Sequence, residues 1–203
     1  YPEAASRMMT VPNGWDADTL ADAAAPTARV GEGESRPRFT FVGTITEEQP
    51  IEKMVEGFHR AREHPGLENA ELRLYGYFGF FGAAPSQLRA RFALGEEGGA
   101  VGEESGAAGD GDEGLLAPGV RHYGPVSKTA VAGVYAEADV LVFLNGGGRF
   151  VTSGKIFEYM AAGRPIVSVH PPGSAAEEIL RGYPLWFNPG GLDPAEIAAS
   201  MAE

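Results

Sequence analysis

The sequence predicts an α/β fold, an open parallel sheet of about six strands with helices on both faces. Three observations carry this reading. Short apolar runs recur along the chain, most of them closed by Gly or Pro, as buried strands should be. Between them lie stretches with helical periodicity or helix-cap signals. The run DVLVFL, Asp139 to Leu144, is almost wholly apolar, which fits a strand buried on both faces of a parallel sheet. Strand–helix alternation implies βαβ units with right-handed crossovers.

The elements follow in order. Residues 1–26 are Ala-rich with a turn at PNG, and residues 27–37 form a polar linker. RFTFVG, Arg38 to Gly43, is the first strand. Ile51, Met54, Val55 and Phe58 fall at i, i+3, i+4, i+7, one face of an amphipathic helix, with Glu52, Lys53, Glu56 and Arg60 outside it. ELRLYG, Glu71 to Gly76, is the second strand, and SQLRARF a short helix. VRHYG, Val120 to Gly124, is the third strand, followed by a helix over SKTAVAGVYAEA with Ser127 as N-cap. After DVLVFL comes a helix within SGKIFEYMAAG, then PIVSV as a strand, SAAEEILRG as a helix, LWFN as a strand and PAEIAASMAE as a last helix.

Composition narrows the function classes. The chain has 203 residues, 43% of them hydrophobic, enough for a real core. It has no cysteine, which excludes disulfides and thiolate metal sites and suits a reducing compartment; the expected location is cytoplasmic. No apolar run reaches the ~18 residues of a membrane span, and the N-terminus has no signal-peptide pattern. The net charge of −12 argues against nucleic acid as a partner. Much of that charge sits in one place: residues 95–114 hold seven of the 28 acids and no base, and are expected to form a disordered loop. The absent initiator Met suggests a piece of a longer protein, and the high Ala and Gly content suggests a bacterial source.

In open parallel sheets ligands bind beyond the carboxyl ends of the strands. The loops there are Gly43-Thr44, Gly76-Tyr77, Tyr123-Gly124-Pro125, Asn145 to Gly154, and the turn after His170, a residue placed where it can line the cleft. The richest is NGGGRFVTSGKIFEYMAAGRPI. Its glycines make an open loop, and Thr152 and Ser153 can cap a helix start, where N–H groups and the helix dipole favour an anion. Lys155 adds a positive charge there. Glu158, three residues on, shares its face and can accept from two neighbouring hydroxyls, as a ribose offers. The alternative is a solvated ion pair worth ~0.3 kcal/mol. Gly163 fits the C′ position, and Pro165 starts the next strand. Arg164 is expected to face solvent or to act as a helix-end charge. The loop is no P-loop: its GxxxxxGK is one residue too long and lacks the hydroxyl after Lys. The four histidines show no ligand spacing, and Trp15 and Trp186 are expected to serve packing.

SGKIFEYMAAGRPIVSV resembles the donor-site helix of nucleotide-sugar-dependent glycosyltransferases of the GT-B class, the group 1 type, whose members pair two Rossmann-like domains. There the stretch reads roughly P-x-K-x-x-E-Y-x-A-x-G-x-P followed by Ile or Val. VPNGWD, FTFVGTI, ELRLYG, VRHYGPVS and AGVYAEADVLVFL are similar to further segments of that class in the same order, so the likeness spans nearly the whole chain. It implies one half of a GT-B fold: residues 1–26 as the end of an N-terminal domain, and 38–203 as the Rossmann-like donor-binding domain. It implies sugar transfer from a nucleotide-diphosphate sugar, with retention of configuration, to an acceptor saccharide, lipid or small molecule held through the other half. No cofactor or metal is implied.

By this likeness Glu158 binds the ribose hydroxyls. Lys155, with backbone N–H groups near Ser153 and Gly154, holds the diphosphate and stabilises it as it leaves. Gly43 and Thr44 approach the sugar phosphate, and Tyr123 and Gly124 border the base through backbone groups. Two departures stand out. The usual Arg and Lys after the first glycine are replaced by GTITEEQP, with Glu47 and Glu48, and the usual first Glu of an E-x7-E pair is Phe150. They leave open a second reading, a degenerate, non-catalytic nucleotide-binding or scaffolding module, and a nucleotide-sugar epimerase is a third.

Overall fold

The computed structural model describes residues 14–16, 36–79 and 114–203. The strands are β1 (Arg38–Val42), β2 (Glu71–Tyr75), β3 (Gly114–Ala117), β4 (Val120–His122), β5 (Val140–Leu144), β6 (Ile166–Val169) and β7 (Trp186–Phe187). The helices are α1 (Ile51–Ala61), α2 (Val131–Glu137), α3 (Lys155–Ala161), α4 (Ala175–Leu180) and α5 (Pro194–Ala202). They build one sheet in the order β3-β4-β2-β1-β5-β6-β7. Among the described residues six strands are parallel and β3 runs antiparallel, against β4.

The six expected strands are all present, and β3 is the addition. Ala117-Pro118-Gly119-Val120 joins β3 to β4, with Gly119 at φ +75°, the residue order of a tight turn with Pro then Gly at its centre. Gly114, the last residue of the expected acidic loop, opens this strand; the rest of that loop, the expected SQLRARF helix and most of residues 1–37 lie outside the described residues.

Alternation along the strands distributes the core to both faces. Phe39 and Phe41 of β1, Leu72 and Leu74 of β2, and Val142 and Leu144 of β5 pack with Met54 and Phe58 of α1 and Ile197 of α5. Val42, Leu141, Phe143 and Ile166 point the other way, against Tyr135 of α2, Ile156 and Tyr159 of α3, and Leu180 of α4. The expected face of α1 is the buried one. In α5, Asp193 caps the Ala195 N–H at 2.8 Å and Pro194 occupies the first turn.

Two expected helix ends shift. α2 begins at Val131 rather than after Ser127; the Ser127 hydroxyl and carbonyl instead hold a turn by accepting from the Ala130 N–H. α3 starts at Lys155 without a side-chain cap, and Ser153 Oγ accepts only the Lys155 N–H, at 3.3 Å. Its far end is as expected, with Gly163 just past the cap at φ +66°; nothing crowds that position, so the conformation alone calls for glycine.

The chain passes from β4 across β2 and β1 to β5. The winding direction therefore reverses between β1 and β5, the place where open α/β sheets form a crevice.

Candidate functional site

Beyond the carboxyl ends of β1, β2 and β4 lies a cleft of about 640 Å³. Its floor is Val42, Gly43 and Thr44 from β1 and Tyr75, Gly76 and Tyr77 from β2. Pro125 to Lys128 and Val131 form one wall, Ser153, Lys155 and Glu158 another, and Gly14 to Asp16 the rim. Gly76 is required here. Its φ is +137°, and a Cβ would collide with the carbonyl oxygen of Gly43, so the two strand-end loops meet backbone to backbone.

Of the residues singled out from the sequence, Gly43, Thr44, Ser153, Lys155 and Glu158 line this cleft together. Tyr123, Gly124 and Gly154 stand behind its surface. The Tyr123 N–H bonds Leu74 in the sheet ladder, and its hydroxyl reaches Glu71 at 2.8 Å, while the Gly124 carbonyl accepts from the Gly76 N–H. Pro125 and Val126, next along the chain, take the cleft-facing place.

Lys155 and Glu158 contact each other, contrary to the expectation of separate partners: Nζ stands 2.7 Å from Oε2, because both occupy the first turn of α3 three residues apart. The pair is partly buried, with side-chain exposures of 32% and 24%. The same Oε2 accepts from the Tyr135 hydroxyl at 2.7 Å, and Lys155 Nζ lies 5.9 Å from the Tyr135 ring centre. Burial pushes the phenols of Tyr135 and Tyr159 well above the ordinary tyrosine range, so both stay protonated donors.

Several expectations are corrected. Arg164 is buried: its guanidinium donates to the Ala136 carbonyl near the end of α2, and its own carbonyl accepts from Tyr183. His170 is buried too, between Ser168 and the Pro171 carbonyl, and does not reach the cleft. Trp15 is half exposed on the cleft rim; Trp186 does pack, donating to Ser168. Sequence reasoning missed Tyr135, whose hydroxyl holds Glu158, and, on the cleft itself, Asp16, Val131 and Lys128. Lys128 lines the cleft as a second cation, 3.4 Å from Asp16, and nothing in its local sequence gives that away. Phe150, in place of the family's carboxylate, is 87% exposed beside Arg149. Among the described residues no group of three or more His, Asp or Glu is placed to hold a metal ion, and no helix is long and apolar enough to cross a membrane.

Helices on both faces of a mostly parallel sheet, with a cleft at the carboxyl ends beside the switch point, define a Rossmann-like domain of the GT-B kind. The sequence model described as "Glycosyl transferases group 1" matches residues 36–203, and the chain belongs to that family. No match was found among curated proteins. Among solved structures, the chain is similar to an α,α-trehalose-phosphate synthase (UDP-forming) from Burkholderia vietnamiensis, at 14% identity and TM-score 0.54 over 82% of this chain and 36% of that one. An OtsA structure matches at 14% identity and TM-score 0.58 over 93% of this chain and 41% of that one. "Trehalose-6-phosphate from E. coli bound with UDP-2-fluoro glucose" matches at 15% and 0.55 over 91% and 40%. At these identities the likeness is one of fold, and the chain spans about two fifths of the length of each.

Proposed function

We propose that this chain is the donor-binding half of a cytoplasmic glycosyltransferase, and that its cleft takes the nucleoside diphosphate portion of a nucleotide sugar. The observation that carries the reading is the convergence of Lys155 and Glu158 on one cleft with the glycine loop of β1. A diphosphate offers charge to Lys155, and a ribose offers hydroxyl donors to Glu158. Gly43 and Thr44 present backbone where a phosphate can come close. Lys128, which also lines the cleft, supplies a second cation in the absence of the bases after Gly43.

In transfer, the carbon–oxygen bond between sugar and diphosphate breaks, and negative charge grows on the diphosphate. Fixed cations in a partly buried cleft stabilise that charge more than water does. The acceptor comes from the other half of the protein, whose closure excludes water and sets the geometry. Retention of the anomeric configuration is the stereochemical expectation, read by NMR of the product.

The experiment is a calorimetric titration with UDP, GDP, dTDP and ADP. At least one binds saturably, and Lys155→Ala and Glu158→Ala each weaken it tenfold or more. Absence of saturation by all four at millimolar levels contradicts the proposal. The second reading, a module that binds without catalysis, draws on the exposed Glu47, Glu48 and Phe150, which stand where family members carry charged groups of use to the donor. Activity of the full-length protein, absent while nucleotide still binds, distinguishes it.

A further inference from the structure

Lys155 is close enough to hold Glu158 by itself, yet a second donor is built against the same oxygen. Tyr135 is fully buried, and its hydroxyl meets Oε2 at 2.7 Å. Its ring packs edge to face on Tyr159, centroids 5.4 Å apart at 78°. Tyr159 is itself pinned: its hydroxyl accepts from the Val42 N–H at 2.8 Å and donates to the Val42 carbonyl at 3.3 Å. A continuous buried chain thus runs from the backbone beside Gly43, through two phenols, to the carboxylate of Glu158.

The acceptor count gives this chain a consequence. An ionised carboxylate has about four lone-pair sites. Tyr135 takes one on Oε2 and Lys155 another, while Oε1 takes no hydrogen bond from the described residues. When Lys155 turns to a diphosphate its place is released. Tyr135 has no such alternative partner, and it keeps the carboxylate in one orientation with Oε1 open. Acceptors fixed in that way suit a ligand with two neighbouring hydroxyl donors.

We infer that Tyr135 is a positioning residue of the nucleotide site, orienting Glu158 so that the cleft prefers ribonucleoside over 2′-deoxyribonucleoside diphosphates. This rests on the function proposed above and adds the residue that sets the preference.

The test compares dissociation constants of UDP with dUDP, GDP with dGDP and ADP with dADP in the wild type, Tyr135→Phe and Glu158→Ala. The wild type prefers the ribo form of its best ligand about tenfold. Glu158→Ala lowers the preference to near one. Tyr135→Phe, which keeps the ring and its packing, lowers it at least threefold, the ribo form losing more affinity than the deoxy form, which keeps only its 3′-hydroxyl for Glu158. A Tyr135→Phe protein with the full preference overturns the inference and leaves nucleotide binding standing; a wild type that binds none of these overturns both. Tyr135→Phe in the Glu158→Ala background is a second probe. If Tyr135 acts through Glu158, it leaves ribo-form affinity there within twofold; a further loss of threefold or more shows that Tyr135 acts apart from Glu158 and overturns the inference.

Discussion

Two carboxylates in this protein have similar company and opposite settings. Glu71, at the amino end of β2, accepts from the Tyr123 hydroxyl at 2.8 Å on Oε1 and from Arg73 Nε at 3.0 Å on Oε2. Glu158 also has one tyrosine and a cation, but both meet Oε2, whereas Glu71 has a second cation as well, Arg121 Nε at 3.8 Å from Oε1. Glu71 has 10% of its side chain exposed and both oxygens engaged; Glu158 faces a cleft with one oxygen to spare. Around Glu71 the network closes further: Tyr75 stacks on Tyr123 at 4.9 Å, and Arg73 reaches Glu137 as well. A satisfied carboxylate ties strands together, and a half-satisfied one at a strand-end cleft is placed to accept from something else.

Substitutions should separate the two. The largest effect is on folding: Glu71→Ala takes from Arg73, only 14% exposed, its nearer carboxylate, leaves it the Glu137 contact alone, and removes the acceptor of the Tyr123 hydroxyl; it should cost about 2–3 kcal/mol in chemical denaturation while leaving nucleotide affinity within twofold. Glu158→Ala should do the reverse in binding, with affinity falling tenfold or more; its stability cost should be the smaller one, about 1 kcal/mol, because the ion pair itself is partly solvent-accessible and the loss comes from the buried Tyr135 hydroxyl left without its partner. A Glu158→Ala protein that unfolds as readily as Glu71→Ala would erase the distinction.

Acid sharpens the contrast. Burial alone raises the Glu71 carboxyl, but the Tyr123 hydroxyl and the Arg73 guanidinium outweigh it and hold the group below its ordinary value of 4.5. Its stabilisation is therefore fully present above that value and is lost as pH falls through the lower folded one. Glu71→Gln should flatten the fall of stability below pH 4.5. Lys128→Ala should have the smallest effect, a two- to fivefold loss of diphosphate affinity that fades as salt rises, since the side chain is 77% exposed.

The two regions were unequally legible in the sequence. Lys155 and Glu158 are three residues apart on one helix, so local periodicity alone put them on one face. Glu71 and Arg73, two residues apart on β2, share a face by strand alternation, but Tyr123 joins them only through the β2–β4 register, which pairs Arg73 with Arg121 and which nothing local encodes. Arg164 read as a surface residue because it follows a helix end; the burial comes from the Ala136 carbonyl of a distant helix. Lys128 depends likewise on how the turn after β4 is folded. The β3 strand was readable, since Pro-Gly between Leu-Leu-Ala and Val is a hairpin signal, but the acidic run before it dominated the composition.

A crystal structure of the protein with its tightest nucleoside diphosphate would decide whether this cleft is the nucleotide site. The expected result is the diphosphate beside Lys155 and the Gly43–Thr44 loop, Lys155 Nζ drawn off Glu158, the Tyr135–Glu158 bond kept, and ribose hydroxyls on Glu158. A nucleotide bound elsewhere, with the 2.7 Å Lys155–Glu158 pair undisturbed, would contradict it.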